Sequence, residues 1–153
     1  KDTARSLVVR NLALLGAASA VQAAPNCTIK LKGDDRMQFD LKTVTVSASC
    51  AKINIELIHT GALPVKSMGH NVVITATKDV AAVASAAIKA GAANQYVPPG
   101  DARVLAATKM IGGGESTKAT FAGKALKAGG EYSFFCSFPG HSGLMKGKLV
   151  VTP

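Results

Sequence analysis

The chain has 153 residues, 48% of them hydrophobic and 18% charged, with a formal net charge of +9. That length supports one domain around one core, and the low charge content with high apolar content excludes a disordered tail. A basic balance favours acidic partners, but aromatics are only 5% and the lysines are scattered, so no basic–aromatic groove for nucleic acid is present.

The first stretch reads as a leader. Lys1, Arg5 and Arg10 precede the apolar run Leu12-Ala13-Leu14-Leu15-Gly16-Ala17-Ala18, and the small-residue sites Ala18-Ser19-Ala20 and Val21-Gln22-Ala23 follow. Basic, then apolar, then small is the order of a secretory signal peptide cleaved after Ala20 or Ala23, leaving 24–153 as the folded domain. The apolar run is too short for a bilayer core of ~30 Å, so no membrane association is expected after cleavage. Residues 1–23 carry three basic and one acidic side chain, so the mature net charge is +7. Export implies an oxidising space, the bacterial periplasm.

The mature chain then alternates. Thr28–Lys32 has the period-two pattern of a half-buried strand, and Gly33-Asp34-Asp35 turns it. Val44–Ser47 and Ile53–Ile58 repeat the pattern, and the β-branched Asn71–Thr75 reads as a central strand. Asp79–Ala90 is Ala-rich, with Val80, Val83, Ala84, Ala87 and Ile88 at helical spacing, Thr77 placed to cap it and Gly91 to end it. Strand patterning resumes at Arg103–Ala107, Thr117–Phe121, Tyr132–Cys136 and Lys148–Thr152. About eight short strands, glycine-rich turns and one helical insertion predict an all-β domain, a Greek-key sandwich or barrel.

Three cysteines in an exported chain leave one over. Cys27 and Cys50 lie 23 positions apart, each beside a strand and neither with a histidine at ligand spacing, and a structural disulfide is the preferred reading. Cys136 is the leftover. It follows the apolar run Tyr132-Ser133-Phe134-Phe135; four residues separate it from His141, and three separate His141 from Met145. Pro139, Gly140 and Gly143 forbid a helix and favour a tight bend, so thiol, imidazole and thioether curl round one point. A thiolate, an imidazole and a weak thioether suit copper, and a second histidine completes a His2Cys set with a long axial Met. His70, at the head of the Val72–Ile74 strand, supplies it, and Gly69 before it lets a carbonyl oxygen approach as a second weak donor. His59 lacks that loop context and reads as a quiet, partly buried histidine. Zinc shares Cys and His but has little use for Met. A cysteine nucleophile with His141 as base leaves Met145 and His70 unused and has no orienting carboxylate. A mononuclear copper centre for electron transfer, not an enzyme, is the reading, with a copper carrier or store as the alternative.

Asp35-Arg36-Met37-Gln38-Phe39, Met68-Gly69-His70-Asn71 and the run from Phe134 to Gly147 closely resemble the cupredoxin family of small blue copper proteins, and the likeness extends from Cys27 to the C-terminal strand. The resemblance implies one Cu(I)/Cu(II) ion on Gly69, His70, Cys136, His141 and Met145, with the glycine carbonyl and methionine sulfur axial. It implies a Cys27–Cys50 disulfide, Asn71 supporting the Cys136 loop, and N–H groups of Asn71 and Phe138 aimed at the sulfur. It also implies a monomer that meets redox partner proteins transiently through an apolar face, matched here by Met37, Leu63, Pro64, Met68, Ile88, Gly140 and Leu144. Val72 stands where some members carry a buried Trp, and Ala107 where some carry a surface His.

Overall fold

The computed structural model describes residues 23–153, so the expected signal peptide lies outside the described residues except for Ala23. Eight strands are present among them: β1 Thr28–Gly33, β2 Thr43–Ser47, β3 Lys52–His59, β4 Val73–Ala76, β5 Ala106–Ala107, β6 Ser116–Ala122, β7 Tyr132–Phe135 and β8 Lys146–Thr152. Helices α1 (Val65–Met68) and α2 (Val80–Ala90) interrupt the series. No described helix is long and apolar enough to cross a membrane.

The strands form two sheets, β1-β3-β6 and β2-β8-β7-β4-β5, with β1–β3 and β2–β8 parallel and the other pairs antiparallel. This is the all-β sandwich of the expectation. Successive strand residues face opposite ways, so Ile29 and Leu31, Ile53, Ile55 and Leu57, Ile74, Phe134, Leu149 and Val151 fill one core between the sheets. Phe39 meets Phe134 edge to face there, 5.6 Å between centroids.

The same alternation positions the functional end. Extending the inward parity of β1 and β3 by one step reaches Gly33 and His59, which pair in register. Extending β4 backwards through Val72 reaches His70; extending β7 forwards from Phe134 reaches Cys136; extending β8 backwards through Gly147 reaches Met145. All five ends lie at one end of the sandwich, and His70, Cys136 and Met145 have no exposed surface.

At the opposite end, Cys27 and Cys50 precede β1 and β3 and form a disulfide with Cα atoms 5.7 Å apart. The outward parity of β4 and β7 places Val73 and Phe135 against Val83 of α2, so the helix lies on the outer face of the five-stranded sheet. That leaves Ile88 55% exposed in this outer layer.

Three details differ from the sequence reading. Thr77 does not cap α2: a 3-10 turn, Thr77–Asp79, leads into the helix, and the Thr77 hydroxyl bonds Ser133 Oγ at 2.9 Å. The Arg103–Ala107 strand shrinks to two residues: Ala106 and Ala107 pair in register with Ile74 and Val73, and Leu105 adds a single N–H bond to Ile74 O. Pro64, with φ fixed near its helical-start value, opens the short helix α1, which periodicity over four residues cannot reveal.

Candidate metal centre

The loop from Cys136 to Met145 is closed by its own backbone. Cys136 N–H donates to Met145 O at 2.9 Å, tying the end of β7 to the start of β8. Inside that clamp His141 N–H donates to Phe138 O at 3.0 Å and Met145 N–H to His141 O at 2.8 Å. Gly140 takes φ +82° between these turns, a conformation that a side chain would strain. Two tight turns in ten residues bring His141 back over Cys136.

His70 arrives from the other side, held by reciprocal backbone bonds with Ile111 of 2.9 and 2.8 Å. Its Nδ1 lies 3.9 Å from Cys136 Sγ, and His141 Nδ1 lies 3.7 Å from the same sulfur. The three donor atoms fall within 4.8 Å of one another and all three residues are buried. Met145 joins them: a Cβ built on Gly33 would stand 2.8 Å from His70 Cδ2 and 3.2 Å from Met145 Cε, so ring and thioether share one floor.

Hydrogen bonding fixes which nitrogens are free. His70 Nε2 lies 2.7 Å from Asp34 O, so Nε2 carries the proton and donates it to that carbonyl. Nδ1 therefore presents a lone pair, and it does so 2.9 Å from the carbonyl oxygen of Gly69. Gly69 O is also 3.7 Å from Cys136 Sγ. Two facing lone pairs beside a thiol that can lose its proton favour a cation at their meeting point. The donor set of one thiol, two imidazole Nδ1 atoms and a thioether fits copper.

Burial shapes the titration. It pushes the Cys136 thiol up to about 11, against hydrogen bonds from the N–H groups of Asn71 and Phe138 that pull the other way. Burial, then the neighbouring His70 and His59, brings His141 down to about 4, and burial also lowers His70. Near neutral pH the metal-free site is thus a thiol and two neutral imidazoles.

A folded-state pKa below the unfolded value means that the unfolded chain binds the proton first. In the metal-free protein the His141 contribution is complete above about pH 6.5 and is lost as pH falls toward about 4. The urea midpoint is expected to drop between about pH 7 and about pH 4.5, and to drop less in His141→Gln. Equal losses in the two proteins would contradict the assignment.

Around the donors, Asn71 grips the thiol loop at two points: its Nδ2 donates to Ser137 Oγ and its Oδ1 accepts from Ser137 N–H, both at 2.8 Å. Ser137 Oγ donates onward to Tyr96 O at 2.5 Å. His59 is only 1% exposed and satisfied at both nitrogens, donating from Nε2 to Met68 O and accepting the Gly61 N–H at Nδ1. Its ring stacks on His70 at 4.1 Å, so it supports the site without belonging to it.

Sequence reasoning did not find the Asp34 carbonyl, the Ser137–Tyr96 link or the role of Gly33. The first two use backbone oxygens, which leave no mark in a sequence. In the sequence Gly33 marks a turn, whereas its missing side chain makes room for His70. Gly33→Ala is expected to displace that ring, to cost about 1–3 kcal/mol and to change the visible spectrum of the copper-loaded protein. An unchanged spectrum would show that the floor has slack.

The sequence model of the copper binding proteins, plastocyanin/azurin family, matches residues 25–152. The chain belongs to that family. It is 51% identical over 142 residues to the azurin of Bordetella pertussis, covering 93% of this chain and 95% of the relative. It is 42% identical over 140 residues to the azurin of Pseudomonas aeruginosa, covering 92% and 95%. A solved azurin from the obligate methylotroph Methylomonas sp. strain J superposes with a TM-score of 0.79 at 40% identity, covering 83% of this chain and 98% of that one. As a cupredoxin the chain binds one copper ion, at the site that His70, Cys136, His141 and Met145 form.

The expected docking residues are distributed less tightly. Leu63, Pro64, Gly140 and Leu144 are exposed, while Met37 and Met68 are half-buried. Ile88 lies apart, in the helix layer on the outer sheet face.

Proposed function

We propose that the chain carries single electrons between redox proteins in the bacterial periplasm, as a monomer, after removal of residues 1–23. The observation that carries the reading is the convergence of Cys136 Sγ with two histidine Nδ1 atoms, with the His70 tautomer already fixed by Asp34. Copper, when bound, supplies the one-electron couple. The chain supplies a prearranged, nearly dry set of donors. His70 and His141 are held neutral by burial, and the Cys136 loop is pinned by Asn71, Ser137 and its own backbone clamp. Gly69 O, 2.9 Å from His70 Nδ1, and the Met145 sulfur would add the weaker donors when copper is bound.

Little has to move when charge changes on a site so constrained, which suits repeated one-electron exchange. Of the three strong donors His141 alone keeps any exposure, 3%, and its ring lies against Phe138 at the surface. Its outer edge is assigned as the point of exchange. The exposed Leu63, Pro64, Gly140 and Leu144, with Met37 and Met68, form the face at which partners meet it briefly, since weak redox encounters bury little area. The disulfide and the basic–apolar–small leader support export. Buried donors disfavour handing the ion on, which weighs against a carrier or store.

Cyclic voltammetry of the copper-loaded protein, with released copper measured by a chelator, tests the reading. A reversible one-electron wave without copper release is expected. Irreversible waves with rapid loss to the chelator would favour the carrier.

A further inference from the structure

Exposed apolar side chains belong to the His141 loop and to the segment before His70. Leu144, whose N–H bonds His141 O at 3.0 Å, is 58% exposed, and Leu63 and Val65 are 42% and 39% exposed. Two lysines adjoin these residues. Lys42 Nζ donates to Leu144 O at 3.4 Å, beside the exposed Leu41. Lys66 lines a cleft of about 350 Å3 with Val65, Tyr96, Met110 and Phe138, and the Phe138 ring is 4.5 Å from His141. Among the described residues neither lysine has a carboxylate within 4.0 Å. The nearby acids are otherwise engaged: Asp34 pairs with Arg36 at 2.7 Å, and Asp35 accepts the N–H groups of Ala62 and Leu63.

We propose that Lys42 and Lys66 make the His141 face selective for an acidic redox protein, one that sets carboxylates round an apolar cofactor edge. The proposal rests on the electron-carrier reading above. Docking any apolar surface over His141 carries both ammonium groups to the rim of the contact. A neutral partner leaves them unpaired there and a basic one repels them, whereas carboxylates in matching positions speed encounter and fix orientation. One lysine adjoins Leu144 and the other shares a cleft with Phe138, the loop residues after and before His141, so together they orient as well as attract.

The test compares the Lys42→Glu/Lys66→Glu protein with Lys52→Glu/Lys124→Glu, which makes the same change in net charge beside the disulfide. Lys52 and His59 are at opposite ends of β3, roughly 23 Å apart at strand rise, beyond the Debye length of about 10 Å in 0.1 M salt. Oxidation of the Cu(I) protein is followed by stopped flow with anionic hexacyanoferrate(III) and with cationic tris(phenanthroline)cobalt(III). Reversal at Lys42 and Lys66 is expected to slow the anion about tenfold and speed the cation, with the difference shrinking at high salt. The control pair is expected to change either rate by no more than about twofold.

Amide NMR of the same proteins with redox-inert hexacyanocobaltate(III) gives a readout without electron transfer, with the largest shifts expected at Lys42, Leu144 and Lys66. Equal effects of the two charge reversals, or shifts centred elsewhere, would overturn the proposal. Failure of the unmodified protein to exchange electrons with either complex would instead overturn the carrier reading, and the shift map would still decide the rim.

Discussion

Cys136→Ser is expected to abolish the intense visible absorption of the Cu(II) protein and to leave the fold in place. The serine hydroxyl fills nearly the same volume and inherits the N–H groups of Asn71 and Phe138 that face the sulfur. Cys136 is fully buried in the main core, but the exchange removes no methylene, so the stability cost should stay near 1 kcal/mol. The metal chemistry changes far more. Only a thiolate gives strong charge transfer to Cu(II), and a serine hydroxyl does not ionise at neutral pH. Affinity should fall by more than the ~10–100-fold that loss of an outer-shell partner costs. Met145→Ala is the informative comparison, because it removes a weak donor. It should keep the colour and shift the potential. Retained colour in Cys136→Ser, or lost colour in Met145→Ala, would assign the sulfurs wrongly.

Removing the disulfide is expected to have the largest effect on stability. Cys27 and Cys50 close a loop 23 positions long, worth about 3 kcal/mol in the chain-entropy description. For a domain of this size that lowers the melting temperature of Cys27→Ala/Cys50→Ala by about 10 °C. The visible spectrum should not change, because the bridge and the copper site occupy opposite ends of the sandwich. Calorimetry and absorption on the same sample check both parts. A spectral change would mean that the two ends are mechanically coupled.

Much of this was legible because β structure writes burial into every second residue. The alternation in Thr28–Lys32 and Ile53–Ile58 gave both strands nearly to the residue, and the same parity decides that His70, Cys136 and Met145 face inward together. The loop was legible for a different reason. Pro139 and Gly140 announce a bend, and the odd cysteine with His141 and Met145 announces soft-metal chemistry. Strand pairing was not legible. Nothing in Arg103–Ala107 says that only two residues will pair in register with β4, and nothing in Thr77 says that its hydroxyl will prefer Ser133 to the helix. Both outcomes are settled by neighbours distant in the chain. The fixing of His70 by Asp34 was hidden more deeply, since any residue supplies a carbonyl. His59 was legible for want of loop context: it reads as a quiet, partly buried histidine, and two local hydrogen bonds plus stacking on His70 commit it to support.

The central claim is that one thiol and two imidazoles close on a single copper ion. Titrating Cu(II) into the metal-free protein near neutral pH, while following visible absorption and proton release together, tests it directly. The Cys136 thiol is protonated there and both imidazoles are neutral, so an intense band should grow to a plateau at one ion per chain with release of about one proton. Binding without the band, or a plateau reached with no proton released, would contradict it.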